Sequence, residues 1–199
     1  MEEKRKSYKL HLADYCLHTN AFPVEPAAVV WLQGCLKKCP DCMAPRWREI
    51  GQGQEIDPGK LATDIIAEPG LEMVVISGGE PLLQVEALDL LLKELRQKSK
   101  LISLLYTGYR EEELYQKHKK MQLARSFDIA IFGPYIKQLN DGKGFRGSSN
   151  QVVKINNPDY EYLRNLFERG SRKADIEVGL NQVRIIGILP KSLKLDDLS

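Results

Sequence analysis

Apolar residues recur along this chain in two rhythms, short unbroken runs and stretches with a helical period, and the two alternate. Tyr8, Leu10 and Leu12 alternate with other residues and predict a first edge strand. AAVVWLQ, Ala27 to Gln33, predicts a buried strand. Asp57-Pro58 has the chemistry of a helix start, an N-cap carboxylate followed by proline in the first helical position. That helix runs through Leu61, Ile65 and Ile66 and ends near Pro69-Gly70. MVVIS, Met73 to Ser77, is the next strand, and Val85, Leu88, Leu91, Leu92 and Leu95 keep helical spacing after it. LISLLY, Leu101 to Tyr106, and FDIAIF, Phe127 to Phe132, predict two more buried strands, with a charged helix from Arg110 to Arg125 between them. Strands alternating with helices of this length predict an α/β fold with a mostly parallel sheet.

Beyond Gly133 the rhythm loosens. A glycine-rich loop spans Leu139 to Asn150, VVKI predicts a short strand, Pro158 to Arg169 a helix, and VRIIGI, Val183 to Ile188, a last strand. The echo between NQVVKI and NQVRII is one short match and does not make a repeat. The polar tail after Pro190 predicts a frayed end. At 199 residues the chain fits one domain, with a core over about residues 27–155 and a C-terminal extension over 156–199.

Composition adds mainly exclusions. Lys and Arg exceed Asp and Glu by 29 minus 27, or two, which gives no support for a role on nucleic acid or a membrane surface through net charge. No apolar run approaches the roughly 18 residues of a spanning helix, and MEEKRKSYKL has charges without an apolar segment behind them. The expectation is a soluble cytoplasmic protein whose thiols stay reduced.

Against that background the cysteines stand out. Cys16, Cys35, Cys39 and Cys42 all lie in the first quarter of the chain, a poor layout for disulfide stapling. In GCLKKCPDC three of them are separated by three and then two residues, which lets one loop curl three soft thiolates around a metal or a small cluster. Iron–sulfur clusters commonly take four cysteines. The fourth here, Cys16, lies nineteen residues before Cys35. Spacing alone leaves an iron–sulfur cluster, a zinc closed by Cys16 or His18, and unligated thiols all open. SGGEP, Ser77 to Pro81, follows a predicted strand and precedes a helix, so it sits at the carboxyl edge of the sheet, where open α/β folds bind ligands. Its glycines let backbone approach a small molecule, and Glu80 offers an acceptor for an ammonium group.

A CxxxCxxC loop after one strand and GGEP after the next resembles the radical S-adenosylmethionine (SAM) enzymes in order and strand context. More narrowly, VVWLQGCLKKCPDC, then LYTGYREEEL, FDIAIFGPY and FRGSSNQ are similar, over about residues 27–155, to the activating components of anaerobic ribonucleotide reductases. The resemblance implies an incomplete (β/α) barrel with Cys35, Cys39 and Cys42 holding a 4Fe-4S cluster whose fourth iron is left for SAM. It implies reductive cleavage of SAM to a 5′-deoxyadenosyl radical, used to install a glycyl radical on a partner enzyme. Ser77, Gly78, Gly79 and Glu80 fall where the family grips the methionyl amino group. Thr107, Tyr109, Asn150 and Asp41 are further SAM-pocket candidates, although Asp41 stands where the family has an aromatic residue or glycine. An electron donor such as flavodoxin is implied as a second partner.

Two other functions fit parts of the same pattern: a radical SAM enzyme acting on a peptide or small metabolite, and a zinc-binding interaction module. Lys37, Lys38, Arg46 and Arg48 read as solvated surface charge, and His11, His18 and His118 have no ligand spacing. Trp31 and Cys16 read as core residues.

Overall fold

The computed structural model describes residues 8–178 and 183–190; the predicted frayed tail after Pro190 lies outside them. Seven strands form one mixed sheet in the order β3-β1-β2-β4-β5-β6-β7. They are β1 (Leu10–Thr19), β2 (Ala27–Leu32), β3 (Gln54–Ile56), β4 (Met73–Gly78), β5 (Ile102–Thr107), β6 (Ile129–Phe132) and β7 (Val152–Ile155). The inner four, β2, β4, β5 and β6, are parallel; β1 and then β3 add antiparallel on one side and β7 on the other, so β1, expected as an edge strand, is covered by β3 and the edges are β3 and β7. The chain is therefore α/β with a parallel sheet at its centre, as the alternating rhythm predicts.

Helices α1 (Pro58–Ala67), α2 (Val85–Lys98) and α3 (His118–Ser126) connect successive parallel strands, each step moving one place in the same direction. Such crossovers are right-handed, so a sheet wound in one direction carries all its helices on one face. The packing agrees: Leu61 and Ile65 of α1, Leu88, Leu91 and Leu92 of α2, and Leu123 of α3 share one core with Val30, Ile76, Leu105 and Ala130. The alternate strand residues, Val29, Trp31, Val75, Leu104 and Ile131, face the other way. There they meet Phe22, Phe145, Phe167 and Ile186, contributed by a loop after β1, the glycine-rich loop, α4 (Arg164–Arg169) and the later of two hairpin strands, β8 (Ala174–Val178) and β9 (Val183–Gly187). No described helix is long and apolar enough to cross a membrane.

Local chemistry explains the elements. Asp57 caps α1 by accepting from Gly59 N–H at 3.0 Å and Lys60 N–H at 3.2 Å, with Pro58 in the first turn. β2 is buried at every position because it is covered on both faces.

Several predicted elements are corrected. The helix expected over Arg110–Arg125 is a 3-10 turn at Glu111–Leu114 followed by α3. Glu113 folds back to accept from Arg110 N–H at 2.6 Å, closing the first turn on itself, and Lys117 leaves helical geometry. The helix expected over Pro158–Arg169 is a tighter 3-10 turn through Leu163 and then α4. β3 and β8 escape the sequence reading: β3 is three residues long, and β8, ADIEV, has only half-buried or exposed positions.

One buried cation organises the glycine-rich loop. The Arg172 side chain has no solvent exposure. It donates to the carbonyls of Gly144 at 3.1 Å and Arg146 at 2.8 Å and to Asn140 Oδ1 at 2.8 Å. Burial pushes its pKa down, opposed by Asp141. Arg172→Met leaves these acceptors without their charged donor and is expected to cost about 3 kcal/mol. Urea unfolding checks this, with the exposed Arg169→Met as a control expected within about 0.5 kcal/mol of the parent.

Candidate functional site

The predicted site residues gather along one line, the carboxyl edge of the parallel strands. The cysteine loop leaves the end of β2, SGGEP the end of β4, Thr107 to Tyr109 the end of β5, and Gly133-Pro134 the end of β6. Because β7 runs antiparallel, with Phe132 opposite Val152, Asn150 arrives at the same edge.

Hydrogen bonds join these strand ends in series. Gly79 N–H donates to Leu32 O at 2.7 Å and Glu80 N–H to Gly34 O at 2.8 Å. The Thr107 hydroxyl donates to Glu80 Oε1 at 2.8 Å, and Gly133 N–H to Thr107 O at 3.1 Å. Asn150 Nδ2 then donates to Pro134 O at 2.8 Å.

The two glycines of SGGEP serve this junction first. Gly78 has φ +112°, and a Cβ there would overlap the Leu32 backbone; a Cβ on Gly79 would overlap Gly34 O. The close approach that the sequence suggests for a small molecule is thus made by the β2 strand end and its loop. Ser77 and Gly78 close β4 opposite Trp31 and Leu32.

Glu80 is 1% exposed. Its Oε1 accepts from Leu82 N–H at 3.0 Å and from Thr107, and its Oε2 accepts from Gly108 N–H at 2.8 Å. Burial pushes its pKa up, while these three donors and Lys37 favour the ionised form. A carboxylate has about four acceptor positions. Three are used internally, which leaves one on Oε2.

The cysteine loop is closed at its base and open at its tip. Gly34 N–H donates to Trp47 O at 2.8 Å and Cys35 N–H to Arg48 O at 2.9 Å. Gln33 Nε2 donates to Glu49 O at 2.8 Å, and the rings of Trp31 and Trp47 lie 5.6 Å apart. Cys35, Cys39 and Cys42 are each half-buried on this loop, and Leu36 and Met43 are 66% and 65% exposed within it. Burial raises the pKa of Cys35, as do Glu80 and the other two thiols; burial and then Cys42 raise that of Cys39, against Lys37 and Arg48. Gathering three thiolates here therefore calls for a compensating cation.

These three thiols are the residues available to hold a metal or cluster. Among the described residues no three His, Cys, Asp or Glu side chains converge on a single ion. Cys16 lies within β1 opposite Val29, three register positions from Leu32, about 10 Å along the sheet. It is buried and donates to His18 O at 3.2 Å. It does not close a site with the loop, so a four-ligand zinc through Cys16 has no geometry here.

Of the remaining candidates, Tyr109 is buried beside this edge, its pKa pushed up by burial, Glu80, Cys35 and Glu113. Asn150 Oδ1 is buried without a hydrogen-bond partner. Asp41 sits on the open loop and makes no polar contact among the described residues. Sequence reasoning missed Gln84, whose side chain accepts from His11 N–H at 2.8 Å and donates to Gln33 O at 2.9 Å. It also missed Gln151, which accepts from Gly147 N–H at 2.7 Å and donates to Gly133 O at 2.9 Å. Both are polar residues at element boundaries, the one signal that marked them. Lys37, read as solvated, is folded down with its side chain 19% exposed.

A half-buried three-thiol loop at the carboxyl edge of a singly wound α/β sheet offers soft donors of the kind iron–sulfur clusters take. The chain belongs to the family described as the 4Fe-4S single cluster domain, which matches residues 26–154. It is 27% identical over 133 residues, covering 64% of this chain and 83% of the relative, to the anaerobic ribonucleoside-triphosphate reductase-activating protein of Enterobacteria phage T4. Both findings support the relationship to radical SAM activases that the order of the motifs implies.

Glu80→Gln is expected to destabilise the protein by about 1–3 kcal/mol, since the amide offers one acceptor atom where two oxygens satisfy three buried donors. A lowered urea midpoint with unchanged m-value checks it; an unchanged midpoint contradicts this reading of the edge.

Proposed function

We propose that this chain is a radical SAM enzyme of the activase type, holding one 4Fe-4S cluster through Cys35, Cys39 and Cys42. The observation that carries the reading is the single edge on which a three-thiol loop, Glu80 with one unused acceptor position and Asn150 with an unpartnered buried oxygen are joined by hydrogen bonds. When bound, the cluster and SAM supply reductive cleavage of the sulfonium and a 5′-deoxyadenosyl radical that abstracts hydrogen.

The protein's part is to bind, orient and exclude water. Glu80 Oε2 accepts from the methionyl ammonium of SAM, and Asn150 Oδ1 accepts a hydroxyl or amino hydrogen from the same molecule. Ser77, Gly78 and Gly79 would support the SAM pocket by fixing the β2–β4 junction beneath it, Thr107 holds Glu80, and Tyr109 and Asp41 lie along the rim. The sheet, wound in one direction with every crossover helix on one face, supports the partial barrel of the radical SAM type, with residues 156–199 as an extension of a single domain.

The relative's name supports a glycyl-radical partner such as an anaerobic ribonucleotide reductase. Exposed Leu36, Met43 and Ile50, on or beside the open loop, are apolar surface of the kind a partner covers. A flavodoxin-like donor and a cytoplasmic location complete the reading.

Anaerobic reconstitution followed by reduction with SAM tests it, with 5′-deoxyadenosine as the readout. Cys39→Ala is expected to abolish both iron–sulfur absorption and product, and Cys16→Ala to retain both. Equal iron loss in the two variants refutes the three-ligand assignment. Mixing the reduced, SAM-loaded protein with a candidate reductase and recording its electron paramagnetic resonance tests the partner; absence of a glycyl signal on every candidate would leave a peptide or small metabolite as the substrate.

A further inference from the structure

Residues 36–43 carry two of the three loop cysteines, yet their backbone makes no hydrogen bond to another backbone segment among the described residues. One side chain supplies the missing anchor. Lys37, midway between Cys35 and Cys39, reaches away from the loop and places Nζ 3.0 Å from both carboxylate oxygens of Glu113. The same ammonium lies 4.4 Å from the centre of the Tyr109 ring. Its stem packs against Gly108, where a Cβ would meet Lys37 Cδ at 3.1 Å. Glu113 is itself held, accepting from Arg110 N–H at 2.6 Å. Among the described residues no other polar side chain of 36–43 bonds to a distant part of the chain.

We propose that Lys37 is a positioning residue that latches the cysteine loop onto the β5–α3 connection through Glu113 and Tyr109, fixing where Cys39 and Cys42 stand relative to Cys35. The inference rests on the cluster reading above. It differs from a purely electrostatic role, in which a positive charge near the thiolates suffices and Glu113 is incidental. A loop whose tip has no backbone ladder samples many arrangements, and few of them present three thiols together. A charge-paired, ring-packed lysine removes most of them before the cluster binds.

Four variants of the anaerobically loaded protein test the latch: Lys37→Met, Lys37→Arg, Glu113→Gln and the double Lys37→Met/Glu113→Gln. The readouts are the rate at which a chelator bleaches the iron–sulfur absorption and, in metal-free protein, the nitrogen-15 relaxation order parameters of residues 36–43. Lys37→Met is expected to hasten cluster loss about tenfold or more, in the range of groups that orient metal ligands. Glu113→Gln should do the same although Lys37 keeps its charge, since the amide has one acceptor oxygen for two donors. The double variant should be no worse than the poorer single, and Lys37→Arg should stay within about twofold of the parent. In the metal-free protein the order parameters should fall in 36–43 and stay unchanged in β4 and α2.

Parent-like retention in Glu113→Gln, or losses that multiply in the double variant, would overturn the latch. If the parent itself takes up no cluster, the cluster reading fails. Order parameters in the metal-free protein then decide the latch alone, and unchanged values in Lys37→Met refute it.

Discussion

The carboxylate of Glu80 sits at the point where three strand ends meet, and the arrangement of the site follows from what it holds. Its side chain gathers donors from its own 3-10 turn and from Thr107 and Gly108 at the end of β5. Its backbone N–H reaches in the other direction, to Gly34 at the head of the cysteine loop. A buried carboxylate is costly in an apolar interior, and only a nearly complete set of donors makes it tolerable. That requirement works in reverse as a constraint on the strand ends, because displacing β2, β4 or β5 strips a bond from a group that water does not reach.

The winding of the sheet decides why this junction is available for chemistry. Crossovers that always step to the next strand stack α1, α2 and α3 on one face, and they leave the opposite face to the C-terminal segments. Arg172 gathers the glycine-rich loop there, and Asn150 at the end of that loop is carried to the carboxyl edge. The loop base is rigid through Trp47, Gln33 and the Gly34 and Cys35 amides, while its tip bears exposed Leu36 and Met43. The cysteine loop thus combines a fixed base with an apolar tip left in solvent.

Much of this was legible along the chain because it rests on local chemistry. The buried runs Ala27–Gln33, Met73–Ser77 and Leu101–Tyr106 supplied the inner strands β2, β4 and β5, and the Asp57-Pro58 start and the leucine spacing of α2 became helices. Thiols three and two residues apart belong to one loop by chain length alone. Where several weak preferences compete, the sequence was less informative. The Arg110–Arg125 segment has helical composition throughout, but Glu113 satisfies the Arg110 N–H and closes a separate turn. β8 has no buried face to leave a hydrophobic imprint.

Which residue types are present, their order and the strand-loop-helix context of each motif were determined by the sequence, since periodicity and turn chemistry act over a few residues. Only the tertiary structure decided which groups meet. It spent the glycines of SGGEP on the strand junction, occupied three of the acceptor positions on Glu80, set Cys16 apart inside β1 and turned Lys37 from solvent onto Glu113 and Tyr109. The Glu80 and Lys37 contacts that cross between strand ends join residues 27 to 76 positions apart, and no local preference encodes a contact that exists only once the sheet has brought both ends to the same edge.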